Sequence, residues 1–121
     1  MAQHNKLGHE GEAIAVDYLK KKGYAIRALN WRHRQYELDI VAQSGNELVI
    51  VEVKSRSVNH LVFPEEAVSK RKIRHLVSGA DAYIKMNDIA FPVRFDVLTV
   101  VMGRGEPVID HIEDAFFSPL F

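Results

Sequence analysis

The chain contains no cysteine. That absence excludes disulfides, thiolate zinc sites and cysteine nucleophiles together, and makes a reducing compartment, the cytoplasm, the expected location. No apolar run approaches the ~20 residues a membrane helix needs, and the opening MAQHNKLGHEGE lacks the apolar core of a signal peptide. A soluble protein without a membrane segment is expected. Net charge is missing as well, since 16 Lys and Arg balance 16 Asp and Glu. A zero sum argues against nucleic-acid binding only where charges are evenly spread. Here they are polarised: basic residues gather in Arg32-His33-Arg34 and in Lys70-Arg71-Lys72-Arg74-His75, whereas six acidic residues from Asp88 onward face only Arg94 and Arg104.

What is present is an ordinary globular composition, 47% hydrophobic and 26% charged over 121 residues, which suits one domain with one core. Apolar residues Leu7, Ile14, Ala15, Tyr18 and Leu19 recur at helical spacing between Asn5 and Lys22, with Gly23 as the stop. Glu12 falls on the inward side of that helix, the wrong place for a solvent charge, and Gly8 and Gly11 on the same side permit a close approach. Residues 24–31, 37–43 and 48–54 read as strands, the second and third joined through Ser44-Gly45-Asn46-Glu47 as an antiparallel hairpin. Pro64 is expected to open a long helix with the stripe Ile73, Leu76, Val77, Ala80, Tyr83 and Ile84. Residues 94–101 and 108–112 complete the strands. The order αβββαββ predicts an α/β fold, a mixed sheet with helices packed on it.

The chemistry gathers at the third strand. Leu48-Val49-Ile50-Val51 is the continuous apolar run of a strand covered on both faces, yet Glu52 and Lys54 then follow on one face, roughly 7 Å apart along the strand. Charges at the end of a buried row are costly unless paired or bound to a ligand. The neighbouring strand repeats the anomaly with Glu37 and Asp39, two residues apart. Counting from the turn, Asp39 lies six residues before Gly45 and Glu52 six after Asn46, which sets the two carboxylates opposite each other. Facing carboxylates repel unless a cation lies between them, and an all-oxygen site favours Mg²⁺ or Mn²⁺ over zinc. Such an ion supports in-line attack on a phosphodiester, with Lys54 at the attacking water and Glu12 as a further ligand from the first helix.

Other chemistries find little support. The six histidines show no paired ligand spacing, and no serine sits in G-x-S-x-G. Arg94 and Asp96 alternate on one strand face and read as a structural pair. Arg32 and Arg34, with Trp31 alongside, suit a phosphate grip, as do Arg56, Arg71 and Arg74. Lys70, three residues before Ile73, shares the inner stripe and is assigned to substrate phosphate.

The ordered set ELDIV, VIVEVKSR, GHEGEAIAVDYLKKKGY with LNWR, PEEAVSKRKIRH, RFDVLTV and HIEDAF resembles the YraN-type uncharacterised bacterial family of small endonuclease-like proteins over nearly the whole chain. The resemblance implies the PD-(D/E)-x-K, restriction-endonuclease-like fold, similar to Holliday-junction resolvases, with Asp39 as the metal-binding acid, Glu52 and Lys54 as E-x-K, and Glu12 as the helix acid. Glu37 is a secondary acid. One departure is Tyr36, where many members carry glycine before the strand-two Glu. The expectation is a Mg²⁺- or Mn²⁺-dependent nuclease acting on structured or damaged DNA, with RNA as the alternative substrate because no base-reading motif decides between them. The rivals are a non-catalytic nucleic-acid-binding module and a dimeric scaffold. The apolar ending, with Phe116, Phe117, Leu120 and Phe121, points to burial in a homodimer interface.

Overall fold

In the computed structural model the described residues are 6–58 and 69–116. The order is α1 (Lys6–Lys21), β1 (Ala25–His33), β2 (Tyr36–Ser44), β3 (Glu47–Ser57), α2 (Lys70–Met86), β4 (Val93–Met102) and β5 (Val108–Ile112). The strands form one sheet in the order β1-β2-β3-β4-β5. β1, β2 and β3 are antiparallel neighbours, β3 and β4 are parallel with α2 as their crossover, and β5 returns antiparallel to β4. The expected αβββαββ order with a mixed sheet is therefore what the chain adopts.

The unbroken apolar run in β3 has the cause inferred for it, because a helix covers each face. On one face, Ala15 and Leu19 of α1 close over Tyr24, Ile40, Ala42, Val49, Val51, Leu98 and Val100. A Cβ on Gly11 would overlap the Ser55 hydroxyl and reach Met102, so the absent side chain is what lets α1 lie on β3. On the other face, Leu76, Val77, Ala80 and Tyr83 of α2 close over Leu38, Val41, Leu48, Ile50 and Phe95. Gly79 brings α2 down onto Leu38 and Tyr36.

One boundary differs from the sequence reading. The helix does not run in from Pro64: Ser69 is extended (φ −80°, ψ 165°), and its hydroxyl accepts the Lys72 N–H at 3.1 Å, capping a helix that starts at Lys70. Pro64 lies outside the described residues. Serine competes for backbone donors and so favours a cap over an interior position, a stronger local signal than the preceding proline. Of the apolar ending, Phe116 stacks on Phe95 of its own chain with ring centroids 5.1 Å apart, while Phe117, Leu120 and Phe121 lie outside the described residues.

At the α1 face, Arg94 and Asp96 form the expected structural pair. Arg94 donates to both Asp96 oxygens at 2.8 Å, to Glu47 at 3.0 Å and to the Tyr24 hydroxyl at 2.6 Å. His111 Nε2 lies 2.7 Å from Asp96 Oδ2, and the Asp114 N–H donates to Oδ1 at 3.0 Å. With a carboxylate on Nε2, the His111 Nδ1 is free to accept from the Tyr18 hydroxyl at 3.1 Å. Burial by itself would raise the Asp96 pKa, but these donors more than offset it and hold the carboxyl below its usual range. The network ties β4, β5 and the end of α1 together. Asp96→Asn removes the carboxylate shared by Arg94 and His111 and leaves the half-buried Arg94 with Glu47 as its main carboxylate partner. A loss of about 1.5–3 kcal/mol is therefore expected in denaturant melts; a loss under about 0.5 kcal/mol would show the network to be dispensable.

Candidate active site

The sheet forks at the carboxylates. β2 pairs with β3 from Ser44↔Glu47 to Ile40↔Val51, and there the pairing ends. Beyond that point β2 stays with β1 as far as His33↔Tyr36, and β3 stays with β4 as far as Ser57↔Met102. The next step of the β2–β3 register would set Asp39 opposite Glu52, in agreement with the count from the turn. Instead of continuing the ladder, the Val53 N–H donates to Asp39 Oδ2 at 2.9 Å. A side-chain oxygen thus takes a donor that a paired strand would take with its backbone, and the two strands separate around the acid.

The fork depends on a change of strand face at Asp39. Leu38 packs on the α2 side and Ile40 on the α1 side, although strict alternation would put them together. The facing strand is distorted at the matching place, where Asn30 has a left-handed φ of 50°. Asn30 Nδ2 donates to Glu12 Oε1 at 2.6 Å, so α1 buttresses the strand position across from Asp39.

Glu52 is 4% exposed. Its Oε2 lies 3.7 Å from Lys54 Nζ and 3.5 Å from Lys72 Nζ, while its Oε1 is buried with no hydrogen-bond partner. Burial first, and the Asp39 carboxylate second, push the Glu52 pKa from 4.5 up to about 7 against the opposing pull of the lysines. A buried Glu52 oxygen without a partner, beside a second carboxylate, fits a hard divalent cation, whose charge would favour ionised Glu52 with Asp39 and Glu52 as oxygen ligands.

The remaining candidate residues fall in several places. Among the described residues no three acidic or histidine side chains gather to hold an ion. Glu12 meets Asn30, and Glu37 pairs with Arg32 at 3.3 Å across the β1–β2 hairpin, so two residues expected to act separately partner each other. The alternation breaks between Leu38 and Ile40, so period two alone does not set Glu37 and Asp39 on one face. Arg34 is exposed at the β1–β2 turn, and Lys70, Arg71 and Arg74 are exposed on the first turns of α2. The Arg56 guanidinium donates to the Ser55 carbonyl at 2.8 Å. Trp31 packs against the α2-side core, edge-on to Tyr83 at 5.3 Å. Tyr36, which replaces the glycine of the family pattern, fills the gap over Gly79 and meets the His75 ring at 5.0 Å.

Lys72 is the residue that sequence reasoning misses. It is Lys72, not Lys70, that reaches Glu52. A signal for it exists: stepping back four residues from the buried pair Ala80 and Leu76 lands on Lys72, whereas Lys70 follows from Ile73 on the margin of the stripe.

The fold and this site define an α/β protein with a buried carboxylate pair flanked by two lysines at a fork in its sheet. The chain belongs to the Uncharacterised protein family UPF0102, whose model matches residues 11–100. It is 55% identical to a UPF0102 protein of Bacteroides thetaiotaomicron over 121 residues, covering all of both chains. It is 49% identical to one of Parabacteroides distasonis over 119 residues, 98% of each chain. A UPF0102 protein of Flavobacterium psychrophilum is 45% identical over 117 residues, 97% of this chain and 98% of that one. No described helix is long and apolar enough to cross a membrane.

Proposed function

We propose that this protein is a Mg²⁺- or Mn²⁺-dependent nuclease that hydrolyses phosphodiester bonds, with structured or damaged DNA as substrate. The observation that carries the reading is the buried, unpartnered Glu52 Oε1 beside Asp39 at the β2–β3 fork, with an ammonium group on the same strand. A divalent cation at that pair would acidify an attacking water and neutralise charge on the phosphate. Asp39 and Glu52 would hold the ion. Lys54, two residues from Glu52 on the same face, would orient the water and meet the negative charge that develops in the transition state. The β2–β3 pairing ends one residue before these acids, so no ladder bond ties Asp39 to Glu52 across the fork. The αβββαββ order and the family resemblance support the restriction-endonuclease-like reading.

Duplex, flap, four-way junction and single-stranded DNA, with RNA as a further arm, incubated with Mg²⁺, Mn²⁺ or EDTA, test this directly. Cleavage of at least one DNA form, abolished in EDTA and reduced about a hundredfold or more by Lys54→Ala, is expected. A second reading, a nucleic-acid-binding module without catalysis, is favoured by the hydrogen bond that occupies Glu12 at Asn30. Under that reading every arm binds and none is cut.

The exposed Lys70, Arg71 and Arg74 would grip backbone phosphates. Replacing all three by Ala should weaken DNA binding while leaving the fold intact, and should flatten the salt dependence by about one unit of slope for each phosphate no longer neutralised. An unchanged slope would remove this face of α2 from the interface.

A further inference from the structure

Lys72 differs from the other basic residues of α2. Lys70, Arg71 and Arg74 are exposed, whereas Lys72 spans from the first turn of α2 to β3 and competes with Lys54 for one oxygen of Glu52. Its 3.5 Å separation, like the 3.7 Å of Lys54, is longer than the ~2.8 Å of a strong charge-assisted hydrogen bond, so neither lysine is locked in place. The four side chains Asp39, Glu52, Lys54 and Lys72 balance in charge without an ion when all are ionised. A divalent cation at the carboxylates leaves the group with two positive charges in excess, and the ammonium nearest the incoming ion is repelled. Lys54 projects from a central strand paired on to Thr99 and is 23% exposed, while Lys72 stands at the helix end and is 38% exposed. The first turn of α2 contains no acidic residue to receive the displaced ammonium, and its N-terminal end favours an anion.

We infer that Lys72 is a substrate-phosphate lysine, held by Glu52 in the metal-free protein and released to a non-bridging phosphate oxygen when a divalent cation occupies Asp39 and Glu52. This rests on the metal-site reading above. A lysine that merely steadied Glu52 would support cation binding. Lys72 instead opposes cation binding and supports nucleic-acid binding, so its removal moves the two affinities in opposite directions.

The test compares the wild type with Lys72→Met, Lys72→Arg and, as a surface control on the same helix, Lys85→Met. Mn²⁺ affinity is measured by calorimetry without nucleic acid, and oligonucleotide affinity by fluorescence anisotropy in Ca²⁺. Lys72→Met should bind Mn²⁺ about threefold more tightly once the competing charge is gone, and oligonucleotide about tenfold more weakly for want of one charge-assisted hydrogen bond. Lys72→Arg should stay near the wild type in both. Lys72→Met matching Lys85→Met in both affinities overturns the inference, as does a fall in both together, which marks a structural support. A wild type that takes up no Mn²⁺ fails the metal site itself and the release of Lys72 with it; the wild-type titration thus separates the two failures.

Discussion

Glu52→Gln should make the metal-free protein more stable at neutral and alkaline pH while abolishing the proposed phosphodiester cleavage. The folded chain holds the Glu52 proton up to about pH 7, against an ordinary value of 4.5. Between those values the native state binds more protons than the unfolded state, so the parent loses stability as pH rises through that window. A separation of this size corresponds to about 3 kcal/mol, present as a penalty above pH 7 and absent below pH 4.5. Glutamine keeps the shape without ionising, so its melts in EDTA should match the parent near pH 4.5 and exceed it by that amount near pH 8. Glutamine also removes a negative ligand, so cleavage should disappear in the more stable protein. A variant that melts well below the parent at pH 8 would show Glu52 to be a stabilising partner of Lys54 and Lys72 rather than a ligand in waiting.

Asp39→Asn should act in the same direction on stability. Asparagine can still accept the Val53 N–H through its carbonyl oxygen, and its amide can donate to the orphaned Glu52 Oε1. The carboxylate repulsion goes, so in EDTA the variant should be at least as stable as the parent. Mn²⁺ should reverse the order, because a ligand that binds only the folded parent adds about 2.7 kcal/mol at a hundredfold excess over its Kd. A structural ion pair gives the opposite pattern, a loss of about 3–5 kcal/mol in EDTA with no response of either protein to Mn²⁺.

Much of this arrangement is legible in the sequence because it follows from period-two and period-3.6 patterns. The continuous run from Leu48 to Val51 announces a strand covered on both faces, and the Gly45-Asn46 turn fixes the register that sets Asp39 against Glu52. The fork is not legible. It comes from a break in alternation at Asp39 and a left-handed Asn30, and pattern reading assumes alternation throughout. Glu37 is taken up by its cross-strand neighbour Arg32, a pairing that reading β2 by itself does not report. Lys72 is hidden for a different reason: a cluster of five basic residues offers several helical phases, and only the ion pair with Glu52 selects among them. Helical phase singles out Glu12, which is half-buried and meets β1 through Asn30, but that partner depends on a backbone distortion that no composition rule reports.

We propose that the β2–β3 fork is a divalent-cation site built from Asp39 and Glu52. Calorimetric titration of Mn²⁺ into the purified wild type, Asp39→Asn, Glu52→Gln and the double variant tests it most directly. The wild type should take up Mn²⁺ stoichiometrically, each single variant should lose affinity by about tenfold or more, and the double variant should show no saturable binding. A wild type that fails to bind Mn²⁺, or a double variant that binds as the wild type does, would contradict it.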